Sequence, residues 1–235
     1  MTLMTDRRMP AVLCAAALCW LFAFSGCRSG DPPAPPPRSE AAPALDEGLI
    51  VAVGDSLTAG LGVDERDAWP AQLERRLRAE GYRWRVVNAG ISGETSSGAR
   101  ARIEWVLGLK PDIVVLETGA NDGLRGVPPL VLRQNLGAIL STLRERRVTV
   151  VLAGMRMLRN LGESYTAAFA RVYPDLADEH DAILVPFFLE GVAANPALNQ
   201  DDGIHPNPDG YRVITGVVYP QILAAIARVR ISRTK

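Results

Sequence analysis

Cysteine is nearly missing from this chain. The 235 residues hold three, Cys14, Cys19 and Cys27, and none follows position 27. The long remainder therefore has no disulfide framework, no thiolate zinc site and no cysteine nucleophile to draw on. Histidine is as scarce: His180 and His205 are the only two, so any imidazole base is one of them. Lysine occurs only at Lys110 and Lys235, and the other basic residues are arginine. With 26 basic and 26 acidic residues the formal net charge is zero, which leaves no electrostatic case for nucleic acid as a partner. The densest arginines, Arg75, Arg76 and Arg78, then Arg144, Arg146 and Arg147, sit beside acids in helical patterns and read as solvated faces. The apolar run from Ala11 to Phe24, about fourteen residues, is too short to span a bilayer.

That run nonetheless has a purpose. Arg7 and Arg8 precede it and Ser25-Gly26-Cys27 follows it. A basic start, a short apolar stretch and small residues at the end describe a secretory signal. A cysteine directly after Ser-Gly resembles a bacterial lipobox, whose cysteine is lipidated and becomes the mature N-terminus. Phe24 departs from the aliphatic residue usual in that motif, so ordinary export stays open. Residues 1–27 are thus expected to be a lipoprotein-type signal, with Cys27 the lipidation site and a membrane the partner of that lipid. The expected location is the cell envelope as an anchored lipoprotein; a soluble periplasmic or secreted protein is the alternative. Residues 28–47, rich in proline and alanine with no apolar period, read as a semi-rigid tether. A folded domain is expected over 48–230 and a short tail over 231–235.

Within the domain, strand and helix patterns alternate. Leu49–Val53, Trp84–Asn88, Asp112–Glu117, Val148–Ala153 and Ile183–Val185 read as short apolar strands. Trp69–Glu80, Thr95–Leu109, Pro128–Arg146, Ser164–Glu179 and Asn207–Val229 have helical spacing. This alternation predicts an α/β fold: a parallel sheet with helices on both faces.

The chemistry gathers at predicted strand ends. Gly54-Asp55-Ser56-Leu57 follows the first strand, at the edge where open α/β sheets bind ligands. Asn88-Ala89-Gly90-Ile91-Ser92-Gly93-Glu94-Thr95 follows the second, and Gly119-Ala120-Asn121-Asp122-Gly123 the third. Each loop alone reads as turn chemistry, but all three converge on the edge that carries Ser56. The Ser56 N–H, a glycine N–H and the Asn121 amide would together form an oxyanion hole. Far downstream, Asp202-Gly203-Ile204-His205 puts a carboxylate three residues from an imidazole. Asp202 can reach Nδ1 and leave Nε2 free for a serine hydroxyl. His180, at a helix end among acids, reads instead as a solvated cation. Asp201, Asp202 and His205 lack the further ligands a metal would need, so no metal or other cofactor is expected. The order Ser, Asp, His also suits the α/β-hydrolases, but their Gly-x-Ser-x-Gly elbow is absent here.

Four blocks in order, Gly-Asp-Ser-Leu at 54–57, Ser-Gly-Glu-Thr at 92–95, Gly-Ala-Asn-Asp at 119–122 and Asp-Gly-Ile-His-Pro-Asn at 202–207, resemble the SGNH (GDSL) hydrolases. Within that family the chain is most similar to the bacterial arylesterase, thioesterase I and lysophospholipase group. The resemblance implies a flavodoxin-like three-layer αβα sandwich with a five-stranded parallel sheet. It implies Ser56 as nucleophile, His205 as base and Asp202 as its orienter, with Ser56, Gly93 and Asn121 as oxyanion donors. The implied activity is a serine esterase cleaving acyl esters or thioesters, so the partner is a small acyl-ester substrate. An O-acetyl esterase acting on envelope or exopolysaccharide sugars is the neighbouring alternative, and a non-catalytic tethered binding module the alternative of another class. The group has a mobile loop after the Asn block, here 123–128. Leu124, Val127, Pro128, Met155, Met157 and Leu158 lie in or after loops at the same edge and are the expected lining of an acyl pocket.

Overall fold

The computed structural model describes residues 46–234, the Arg159 side chain excepted. The expected signal segment, Cys27 and nearly all of the tether lie outside the described residues. Along the chain run β1 (Gly48–Gly54), α1 (Ser56–Ala59), α2 (Trp69–Ala79), β2 (Trp84–Gly90), α3 (Ser96–Ala101), α4 (Ile103–Gly108) and β3 (Ile113–Glu117). Then follow α5 (Ala120–Leu124), α6 (Pro129–Glu145), β4 (Thr149–Ala153), α7 (Glu163–His180), β5 (Ile183–Val185) and α8 (Pro208–Arg233).

The five strands are parallel and ordered β2-β1-β3-β4-β5. This is the flavodoxin-like order, whose switch point lies between β1 and β3. Central position explains the strand sequences. Ile50, Val51, Ala52 and Val53 of β1 and Ile113, Val114, Val115 and Leu116 of β3 are fully buried, covered on both faces. Helices α2 and α8 pack together on one face, and α3, α6 and α7 lie together on the other, giving three layers. Helix α8 is long and apolar enough to cross a membrane by length and composition. Its apolar residues, among them Tyr211, Ile214, Val218, Ile222 and Ile226, are instead buried in the core against the sheet.

Two expectations change. The amphipathic stretch 95–109 is two helices, not one. Arg102 leaves helical geometry between them (φ −108°, ψ 9°). Its guanidinium reaches back to both carboxylate oxygens of Glu94, at 2.7 and 2.6 Å. The last helix also runs to Arg233, whose side chain donates to Asp112 and to the Glu47 carbonyl.

Candidate active site

Ser56 owes its place to the sharp exit from β1. A side chain at Gly54 would collide with Thr58 and Glu117, so glycine is what lets the chain turn directly into α1. Asp55 caps that helix, its Oδ1 accepting from the Leu57 N–H at 3.0 Å. Ser56 opens α1, is 9% exposed, and its Oγ stands 2.8 Å from His205 Nε2.

His205 arrives on a loop that the chain closes on itself. Asn199 and Pro206 form an antiparallel bridge, and the Gln200 amide donates to the Leu61 and Pro206 carbonyls. Asn207 then caps α8 by accepting from the Asp209 and Gly210 N–H groups. Inside this loop Asp202 folds back. Its Oδ1 accepts from the Ile204 and His205 N–H groups, both at 2.9 Å, and its Oδ2 stands 2.6 Å from His205 Nδ1. These bonds from His205 and Ile204 hold the Asp202 carboxyl down at a pKa of about 2. An ionised Asp202 fixes the tautomer with a proton on Nδ1 and leaves Nε2 to accept from Ser56. The three side chains thus form one continuous hydrogen-bonded line.

The expected oxyanion donors lie around Ser56: Gly93 and Asn121 line the same cavity as Ser56 and His205, about 240 Å3 in volume. The Ser56 and Gly93 amides donate to no acceptor among the described residues. Gly93 has φ +79°, which favours glycine there. Gly90 serves packing, since a Cβ would strike the Ala59 backbone. Asn121 Nδ2 donates to Asp55 Oδ2 at 3.1 Å and to the Glu94 carbonyl at 3.0 Å. Both neighbours are acceptors, which settles the orientation of the amide. For Asn121 to serve an oxyanion, its second hydrogen must pass from Glu94 to the substrate.

Several acids that sequence reasoning passed over hold this arrangement. The half-buried Glu94–Arg102 pair ties the loop after β2 to the Gly54 carbonyl. Asp122 accepts from the Ser96 N–H and hydroxyl at 2.8 and 2.5 Å, and Asn135 donates to that hydroxyl at 3.0 Å, joining α3, α5 and α6. Glu117, fully buried at the end of β3, accepts from the Thr58 hydroxyl at 2.8 Å. Burial, with Asp55 close by, raises its pKa well above the usual range. Its signal was present in the sequence, as a carboxylate closing an otherwise apolar strand.

An apolar cavity of about 220 Å3 adjoins the first, the two sharing Leu57, Ala120, Leu124 and Ile204. Leu124, Met155, Met157 and Leu158 line it as expected, joined by Phe187 and Leu189 from the segment after β5. Val127 and Pro128 do not line it. The Val127 N–H is bound to the Asp122 carbonyl and its own carbonyl accepts from Tyr165 at 2.8 Å, so the chain is drawn away into α6, which Pro128 caps. A larger groove, about 460 Å3, lies along α2 and β2. It is open, lined by charges of both signs, and remote from the serine. His180 is not the expected solvated cation. Its Nδ1 is buried without a partner among the described residues, and burial, helped by Arg144, lowers its pKa.

Residues 52–213 match the GDSL-like lipase/acylhydrolase family. The esterase TesA of Pseudomonas aeruginosa is 48% identical over 158 residues, covering 67% of this chain and 79% of that protein. A thioesterase 1/protease 1/lysophospholipase L1 of Escherichia coli is 41% identical over 182 residues, 77% of this chain and 85% of the other. A crystal structure of TesA superposes with a TM-score of 0.73 at 43% identity, covering 75% of this chain and 99% of that one.

Proposed function

The chain belongs to the GDSL-like lipase/acylhydrolase family and is an ester hydrolase, and from that premise we propose that Ser56, His205 and Asp202 carry its chemistry. The observation behind this is the line from Ser56 Oγ through His205 to Asp202, at 2.8 and 2.6 Å. Ser56 Oγ attacks the acyl carbon while its proton passes to His205 Nε2. The tetrahedral oxyanion is received by the Ser56 and Gly93 N–H groups and Asn121 Nδ2. Its collapse expels the alcohol or thiol, which takes the proton back from His205. Water, deprotonated by His205, then releases the acid from the acyl-serine. The apolar cavity beside this centre takes the acyl chain, Leu124 and Met157 forming part of its wall. Ser56→Ala or His205→Ala should each remove nearly all turnover of p-nitrophenyl butyrate, and the double variant should lose little more, because the two act as a unit. Substantial turnover in Ser56→Ala would overturn the assignment.

We further propose that the protein is exported and held at the cell envelope by a lipid on Cys27. The support is the basic, apolar and Ser-Gly-Cys succession, followed by a proline-rich stretch that leaves the domain free of the membrane. Intact mass of the mature protein decides the point. Added acyl mass on Cys27, lost in Cys27→Ser, is the expected result; an unmodified N-terminus elsewhere leaves ordinary export.

A further inference from the structure

One buried acid beside the nucleophile has no part in the steps above. Asp55 is fully buried, and capping α1 needs only its Oδ1. Its Oδ2 is spent on Asn121, the side chain assigned to the oxyanion. We propose that Asp55 is the positioning residue of the oxyanion hole: its carboxylate holds one hydrogen of the Asn121 amide, so that the other is aimed where the oxyanion forms. This rests on Asn121 being an oxyanion donor.

The geometry leaves the amide no second anchor of the same kind. Its other acceptor, the Glu94 carbonyl, must be given up when the oxyanion develops. Among the described residues, the bond to Asp55 is then the one left to prevent rotation about the terminal torsion of Asn121. That bond needs an ionised carboxylate, because a proton on Oδ2 would set one donor against another. Burial pushes the pKa of Asp55 up to about 6. Facing it are Glu117 from β3, Glu94 with its Arg102 from the loop after β2, His205 from the loop before α8, and the buried Tyr173 and Tyr211 from α7 and α8. Burial and Glu94 oppose its ionisation, whereas the Leu57 N–H, Asn121 and His205 favour it. Protonation of Asp55 should therefore add its own loss of activity below about pH 6.

A double-mutant cycle with Asp55→Asn and Asn121→Ala tests this, read by kcat and KM on p-nitrophenyl butyrate across pH. Each single variant should lower kcat by about 10²-fold with little change in KM. Asp55→Asn placed on Asn121→Ala should cost no more than a few-fold further. Asn121→Ala leaves Asp55 in place, yet its acid limb should be one proton less steep than that of wild type. That comparison holds even if Asp55→Asn folds poorly. Losses that multiply, or the same acid limb in wild type and Asn121→Ala, would overturn the proposal and make Asp55 a helix cap alone. Full activity in Asn121→Ala would instead overturn the oxyanion assignment on which it rests.

Discussion

Glu117 is the least expected side chain beneath the site. It closes a strand whose other residues are all apolar and buried. Its Oε1 has no partner among the described residues, which suits a protonated acid better than a carboxylate. Its folded pKa lies well above the ordinary glutamate value, so the native state holds the proton more tightly than the unfolded chain. The associated stability is complete below that value and is lost as pH rises toward the folded pKa. Glu117→Gln has nothing to lose in this way. The variant should gain on wild type with rising pH, by at most about 1.4 kcal/mol per pH unit, in urea unfolding between about pH 4 and about pH 8. A stability difference that stays constant over that range would mean Glu117 ionises as an ordinary carboxyl. Ser56, Asp202 and His205 were readable because each sits in a short motif, and the Asp202–His205 contact closes within three residues. Glu117 showed only as an acid ending an apolar strand; its bond to Thr58 and that of Asp55 to Asn121 come from packing between distant segments, and the Glu94–Arg102 pair closes only because the helix breaks at Arg102.

The loop from α5 to α6 is the element on which substrate preference should turn. Gly123 lies under Met157 so closely that any side chain there would overlap it. Leu124 is 55% exposed at the junction of the two cavities. Tyr165 anchors the far end of the loop through the Val127 carbonyl. On the acyl-chain reading proposed above, Leu124 and Met157 form a wall that a long chain meets over more of its length than an acetyl group does. Leu124→Ala and Met157→Ala should lower kcat/KM several-fold for octanoyl p-nitrophenyl ester but little for acetyl, since each buried methylene is worth about 0.8 kcal/mol. Equal losses on both esters would mean that the two residues support the fold and not the chain. Period and composition gave the existence of this loop and the helix after it. They could not show that Val127 and Pro128 turn away from the cavity, because two hydrogen bonds to neighbouring elements decide it. The split of 95–109 escaped for a similar reason: Arg102 leaves the helix for a carboxylate eight residues earlier.

The order of strands brings the dispersed motifs into one place. With β1 between β2 and β3, the loops carrying Gly93, Ser56 and Asn121 leave adjacent strand ends. The His205 loop, which follows the last strand, is tied to the turn after α1 by Gln200 on the Leu61 carbonyl. Strand alternation and the apolar runs made this architecture legible, because a parallel sheet admits few topologies. The measurement that bears most directly on the account is the site of covalent trapping. A fluorophosphonate should add one phosphonyl group to the intact protein, fragmentation should place it on Ser56, and His205→Ala should slow its addition by several orders of magnitude. Adduct on another residue, or unimpaired labelling in His205→Ala, would contradict a serine activated by that histidine.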